Sequence, residues 1–161
     1  MRIMSATMPV AAERTLAVCR AAQRFCAARG WAPVAEMPLP NGRRADILAL
    51  MPDGGFVVVE VKSCARDFLS DGKWPEYREY CDRLYFAVDL DFPQELLPEE
   101  VGLIVAEGPD AALVRDAPAH PLASARRRAL LHRYAVTAAG RLAAFQDPVG
   151  LAELRAALKV E

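Results

Sequence analysis

The chain has no apolar run of the length needed to cross a bilayer, about 18 residues or more, and its start, MRIMSATMPVAAER, holds no continuous apolar stretch before Glu13 and Arg14. Neither a membrane helix nor an export signal is expected, which reads as a protein that is not exported. Its four cysteines, Cys19, Cys26, Cys64 and Cys81, contain no CxxC pair. That argues against a zinc site or a disulfide framework and for a reducing, cytoplasmic setting. Net positive charge is missing too, since 20 Lys and Arg stand against 21 Asp and Glu for a formal charge of -1. A global attraction to nucleic acid or an acidic membrane is thereby not indicated, so any anionic partner has to be met by a local patch. His120 and His132 lack ligand-like spacing and read as structural or exposed. Repeats, low-complexity tracts and an interdomain linker are not seen.

What is present is a chain of 161 residues, 53% hydrophobic, enough to bury one sizeable core. A single domain over residues 1–161 is expected. Residues 11–29 place Leu16, Cys19, Ala22 and Cys26 at helical spacing, and Gly30 stops the helix. WAPVAEMPL is a short strand that Pro33 and Pro38 push toward a sheet edge. RADILALM (44–51) and FVVVEVKSC (56–64) are the strongest strand signals, apolar on both faces as in the middle of a covered sheet.

Between those strands, Pro52, Asp53 and Gly54 supply the order of a three-residue hairpin loop, with Gly at the left-handed position. Met51 then faces Gly55. Counting back along the hairpin sets Asp46 directly across from Glu60, on the same face, and Lys62 shares that face because strand side chains repeat every two residues. Three ionic groups should therefore converge, Lys62 lying beside Glu60. Burying ions among valines costs several kcal/mol apiece without partners, so the arrangement calls for one.

Further along, ARDFLSDGKW reads as a polar loop, PEYREYCDR as a helix opened by Pro75, and LYFAVDL as a strand. VGLIVAE is a fifth strand and ALVRD a short sixth. LASARRRALLHRYAVTAAGRLAAF and DPVGLAELRAALKV read as two helices, the second capped by Asp147 with Pro148 just inside. The core spans about 10–106 and a helical extension about 120–160.

Asp46 and Glu60 form a hard, all-oxygen pair suited to Mg²⁺, with Mn²⁺ as its natural substitute, a cation that binds through one or two carboxylates plus waters and a phosphate. Lys62 would orient the nucleophile or stabilise charge in the transition state. The spacing, Asp46, thirteen intervening residues, then Glu60-Val61-Lys62, resembles the signature of the PD-(D/E)XK nuclease superfamily, although Ala45 stands where its name has Pro. Over nearly the full chain, RRADILAL, VVVEVKS, DGKWPEYREYCDRLYFAV, GLIVAE and ARRRALLHRYA resemble the MmcB-like family of bacterial DNA repair proteins, which is assigned to that superfamily.

The resemblance implies a restriction-endonuclease-like α/β/α sandwich with a mixed central sheet, and a Mg²⁺-dependent DNA endonuclease acting in repair. It makes Glu13, similar to a helix glutamate of some superfamily members, one candidate auxiliary acid, and Glu36 on the preceding strand is the other. It also leaves a homodimer open, since many enzymes of this fold cut as dimers. Phosphate contacts fall to Arg43, Arg44, Arg66 and Lys73 near the site and to Arg126 and Arg127 in the later arginine run. Tyr77 and Tyr80 share a helix face and read as packing residues, and Trp74 as a loop anchor. Two rivals stay open: a catalytically silent module binding DNA or repair proteins, and a nuclease for RNA.

Overall fold

A computed structural model describes residues 10–159; residues 1–9, where the reading of the chain start falls, lie outside the described residues. The chain divides into two compact units with the boundary between Leu122 and Ala123.

The first unit opens with helix α1, Ala11–Ala28, ended by Gly30 in the left-handed region, as the periodicity predicts. Strands β1 (Ala32–Pro38), β2 (Arg44–Leu50), β3 (Phe56–Val61), β4 (Arg83–Asp89), β5 (Gly102–Glu107) and β6 (Asp110–Arg115) follow. They form one six-stranded sheet in chain order, β1 to β3 and β5 to β6 antiparallel, β3 to β5 parallel. The two proline-bearing ends of β1 do place it at an edge, where a missing N–H costs no ladder bond.

The sheet's two faces carry two apolar layers. Against α1 lie Ile47, Ala49, Val57, Val59, Val61, Tyr85, Ala87 and Ile104, with Val18, Ala21, Ala22 and Cys26 from the helix. On the other face Phe86 packs edge-on against Phe68, 5.4 Å between ring centres, and against Trp74 at 5.6 Å. Helices thus cover both faces, an α/β/α sandwich.

Two segments differ from expectation. The stretch read as a polar loop holds a short helix, α2 (Ala65–Ser70), and the following segment, Trp74–Tyr80, is a 3-10 helix rather than an α-helix. Six residues with one buried side chain, Phe68, carry too little periodicity to announce a helix. The second unit consists of α3 (Ser124–Gln146) and α4 (Pro148–Leu158), and the Asp147 carboxylate caps α4 by accepting the Gly150 N–H at 2.9 Å. No helix among the described residues is long and apolar enough to cross a membrane.

Candidate active site

The site begins with the hairpin turn. Met51 N–H donates to Gly55 O at 2.8 Å, Gly54 N–H to Met51 O at 2.9 Å, and Gly54 sits at φ 86°, the loop its residues predict. The register follows: Leu50 faces Phe56, Leu48 faces Val58 and Ile47 faces Val59. One step further out, at Asp46 and Glu60, the backbone ladder stops and side chains take over its bonds. Asp46 N–H donates to Glu60 Oε1 at 3.0 Å, and Val61 N–H donates to Asp46 Oδ2 at 2.8 Å. Each carboxylate keeps one oxygen outside these bonds, so the parted strands hold two acids side by side.

Burial sets their chemistry. Glu60 is 4% exposed, and its desolvation, followed by the nearby Asp46 charge, pushes its pKa up to about 8. Desolvation raises Asp46 as well, opposed by the Val61 N–H and then by Lys62. Two such groups cannot both be anionic in low dielectric without a proton or a cation between them.

Lys62 is buried at 6% exposure, just past the end of β3, where its N–H donates to Ala87 O at 3.0 Å. Its counter-charge is not the expected Glu60. The ammonium donates to Asp71 Oδ2 at 2.7 Å and lies 3.8 Å from Asp67. Burial raises the Asp71 pKa, but the Lys62 bond and the Lys73 N–H outweigh it and hold the carboxyl below its ordinary value. Asp71 is fixed in turn: it ends α2, its N–H donates to Phe68 O, and Lys73 N–H donates to its Oδ1 at 3.1 Å. Because Phe68 packs on Phe86, and Phe86 pairs with Glu60 in the sheet, the lysine and the acids share one rigid frame. Sequence reasoning missed Asp71. A buried lysine needs an acid in reach, and from residue 63 to 75 only Asp67 and Asp71 are acidic.

The two auxiliary acids part company. Glu36 falls opposite Asp46, between the paired residues Ala35 with Ile47 and Met37 with Ala45, and adopts φ 48°, uncommon for a non-glycine residue. It lines a cavity of about 350 Å³ together with Asp46, Val61 and the α1 residues Ala12, Thr15, Leu16 and Cys19. Its carboxylate lies 3.6 Å from the Arg44 guanidinium. Glu13 accepts the Val10 N–H at 3.3 Å, the back-bond of a helix start, and lines a different cavity of about 130 Å³ with Arg14 and Asp89. Asp89 is ion-paired to Arg14 at 2.7 Å.

Among the expected phosphate contacts, Arg43 donates to Glu76 at 2.7 Å, Arg44 leans on Glu36, and Arg66 and Lys73 are exposed on α2 and the turn after it. Arg126 and Arg127 stand on α3, in the second unit. The Tyr77 hydroxyl donates to Arg44 O at 3.2 Å, and burial, then Glu60, Asp46 and Asp71, raise its pKa. Tyr80 is buried, and Trp74 anchors its segment on Phe86 while Arg78 covers its ring.

The donor set suits a hard divalent cation. Asp46 and Glu60 are two neighbouring carboxylates, and among the described residues no cluster of three or more His, Cys, Asp or Glu forms a protein cage, so an ion bound by this pair would keep several waters, as Mg²⁺ does. The molecule is thus an α/β sandwich protein whose candidate site gathers two acids and a buried lysine where β2 and β3 part.

The chain belongs to the MmcB-like family: the family model, described as DNA repair protein MmcB-like, matches residues 5–149. It is also similar to a solved structure, a Silicibacter pomeroyi protein of unknown function, SPO1766, at 44% identity and a TM-score of 0.81 over 85% of this chain and 94% of that one. Comparison with curated proteins finds no match.

Proposed function

We propose that this protein is a Mg²⁺-dependent DNA endonuclease of the PD-(D/E)XK type, acting in DNA repair. The observation that carries the reading is the Asp46–Glu60 pair at the parting of the hairpin, Glu60 buried and Asp46 half-buried, with a buried lysine two residues beyond Glu60. The family description supports the repair role.

Asp46 and Glu60 would hold the cation, which supplies a Lewis acid for the phosphodiester and a lowered pKa for attacking water. Lys62, held by Asp71, keeps two of its three ammonium hydrogens for the attacking water or a phosphate oxygen. No histidine is needed as base. Arg43, Arg44, Arg66 and Lys73 would supply the contacts to the DNA backbone.

The direct test is a panel of nicked, flapped, branched, abasic and single-stranded DNAs, with matched RNAs, incubated with Mg²⁺ or Mn²⁺ and compared with Lys62→Ala. Cutting by wild type that drops by about 10²-fold or more in the variant is expected, the scale of losing one preorganised electrostatic group. Equal background in both proteins on every substrate would hand the reading to a silent DNA- or protein-binding module, for which the Lys62–Asp71 pair is only a structural bond.

A further inference from the structure

The cavity of about 350 Å³ between α1 and the ends of β1, β2 and β3 adjoins the proposed site, since Asp46 is part of its wall. We infer that this cavity receives one unpaired nucleotide, and that the enzyme therefore acts on single-stranded or extrahelical DNA rather than on intact duplex. This inference rests on the nuclease reading for its chemistry but on the cavity for its specificity.

The size is at the lower end of the about 300–1,000 Å³ usual for small-molecule pockets, room for one nucleoside and not for a stacked base pair. Its walls match the parts of such a ligand. Ala12, Leu16 and Val61 give an apolar surface for a base face, and Thr15 and Cys19 are the remaining helix contribution. Glu36 presents a carboxylate, an acceptor for the N–H donors on a base edge, and the exposed guanidinium of Arg44 beside it is a donor for the flanking phosphate. The left-handed backbone at Glu36, φ 48°, sits at the pocket and nowhere else among the described non-glycine residues, and backbone strain of this kind concentrates at ligand clamps. A scissile phosphate at Asp46 and Glu60 would thus carry its neighbouring nucleoside into the groove, which requires that nucleoside to be out of the helical stack.

The test uses the full chain and two variants. Ala12→Trp fills the groove from an exposed helix position, and Ala27→Trp places the same indole on an exposed position of α1 outside the groove. Cleavage of a single-stranded oligonucleotide and a one-base bulge is compared with that of the fully matched duplex, and binding of a deoxynucleoside 5′-monophosphate to the Mg²⁺-loaded or metal-free protein is mapped on the amide resonances. Expected are cutting of the unpaired substrates about tenfold or more faster than of duplex, shifts at Leu16, Cys19 and Val61 on adding the monophosphate, and loss of both in Ala12→Trp with Mn²⁺ affinity unchanged and Ala27→Trp like wild type. Duplex cut as fast as the unpaired substrates, or an Ala12→Trp protein that binds and cuts like wild type, overturns the pocket while leaving the nuclease. A monophosphate that still maps to the groove in a protein cutting nothing supports the pocket and overturns the nuclease.

Discussion

Burial, with the Asp46 charge beside it, acts strongly on Glu60. With its folded pKa near 8 against an ordinary 4.5, the folded protein holds a proton that the unfolded chain has already released between those values. Folding therefore loses stability as pH rises through that window, and the contribution is fully present only below 4.5. Glu60→Gln keeps the oxygen that accepts the Asp46 N–H and removes the titration, so it should stabilise the metal-free protein by about 2 kcal/mol at pH 8 and leave it unchanged at pH 4.5, read from urea midpoints. For Lys62 the expectations split by partner. Lys62→Met replaces a buried ion with an apolar chain of similar length and should abolish cutting with less than about 1.5 kcal/mol change in stability. Asp71→Ala leaves the ammonium buried without its hydrogen-bonded acid and should cost about 2–4 kcal/mol, with Asp71→Asn between the two; a Lys62→Met protein that unfolds as readily as Asp71→Ala would show that the lysine is there for the fold.

At the scale of elements, the turn is the part that decides the site. A residue inserted between Asp53 and Gly54 would slip the register, send Asp46 to the opposite face from Glu60 and remove divalent-cation binding while the far strands remain paired. Gly54→Ala, at φ 86°, should cost about 1–2 kcal/mol without changing the register, and circular dichroism with metal titration separates the two outcomes. This element was legible in the sequence because its signals are local: two valine- and leucine-rich runs, a Pro-Asp-Gly turn, and a side-chain period of two that carries Asp46 to Glu60. The terminal helices announced themselves by spacing and by the Asp147-Pro148 cap. What was not legible depends on contacts between distant segments. Helix α2 exists because Phe68 finds Phe86, and Asp71 matters because that packing brings it to Lys62. The separation of Glu36 from Glu13 likewise needed the sheet register and the helix placement together.

The whole molecule carries a formal charge of -1, and the cations nearest the site are engaged by acids, Arg43 with Glu76 and Arg44 with Glu36. On the proposed reading DNA would displace these partners, so its affinity should depend only shallowly on salt, with a log–log slope of about -2 to -4, and Arg43→Ala should reduce the slope by about 1. A slope near -8 would mean a basic surface far larger than Arg43, Arg44, Arg66 and Lys73 supply. Most directly of all, the account stands on a cation held between Asp46 and Glu60. Calorimetric titration of the metal-free protein with Mn²⁺ at pH 8 should give one site per chain, tighter than at pH 6 because both acids must be deprotonated, and Asp46→Ala should remove it without unfolding the protein. Binding that survives Asp46→Ala unchanged, or no binding by wild type, would contradict it.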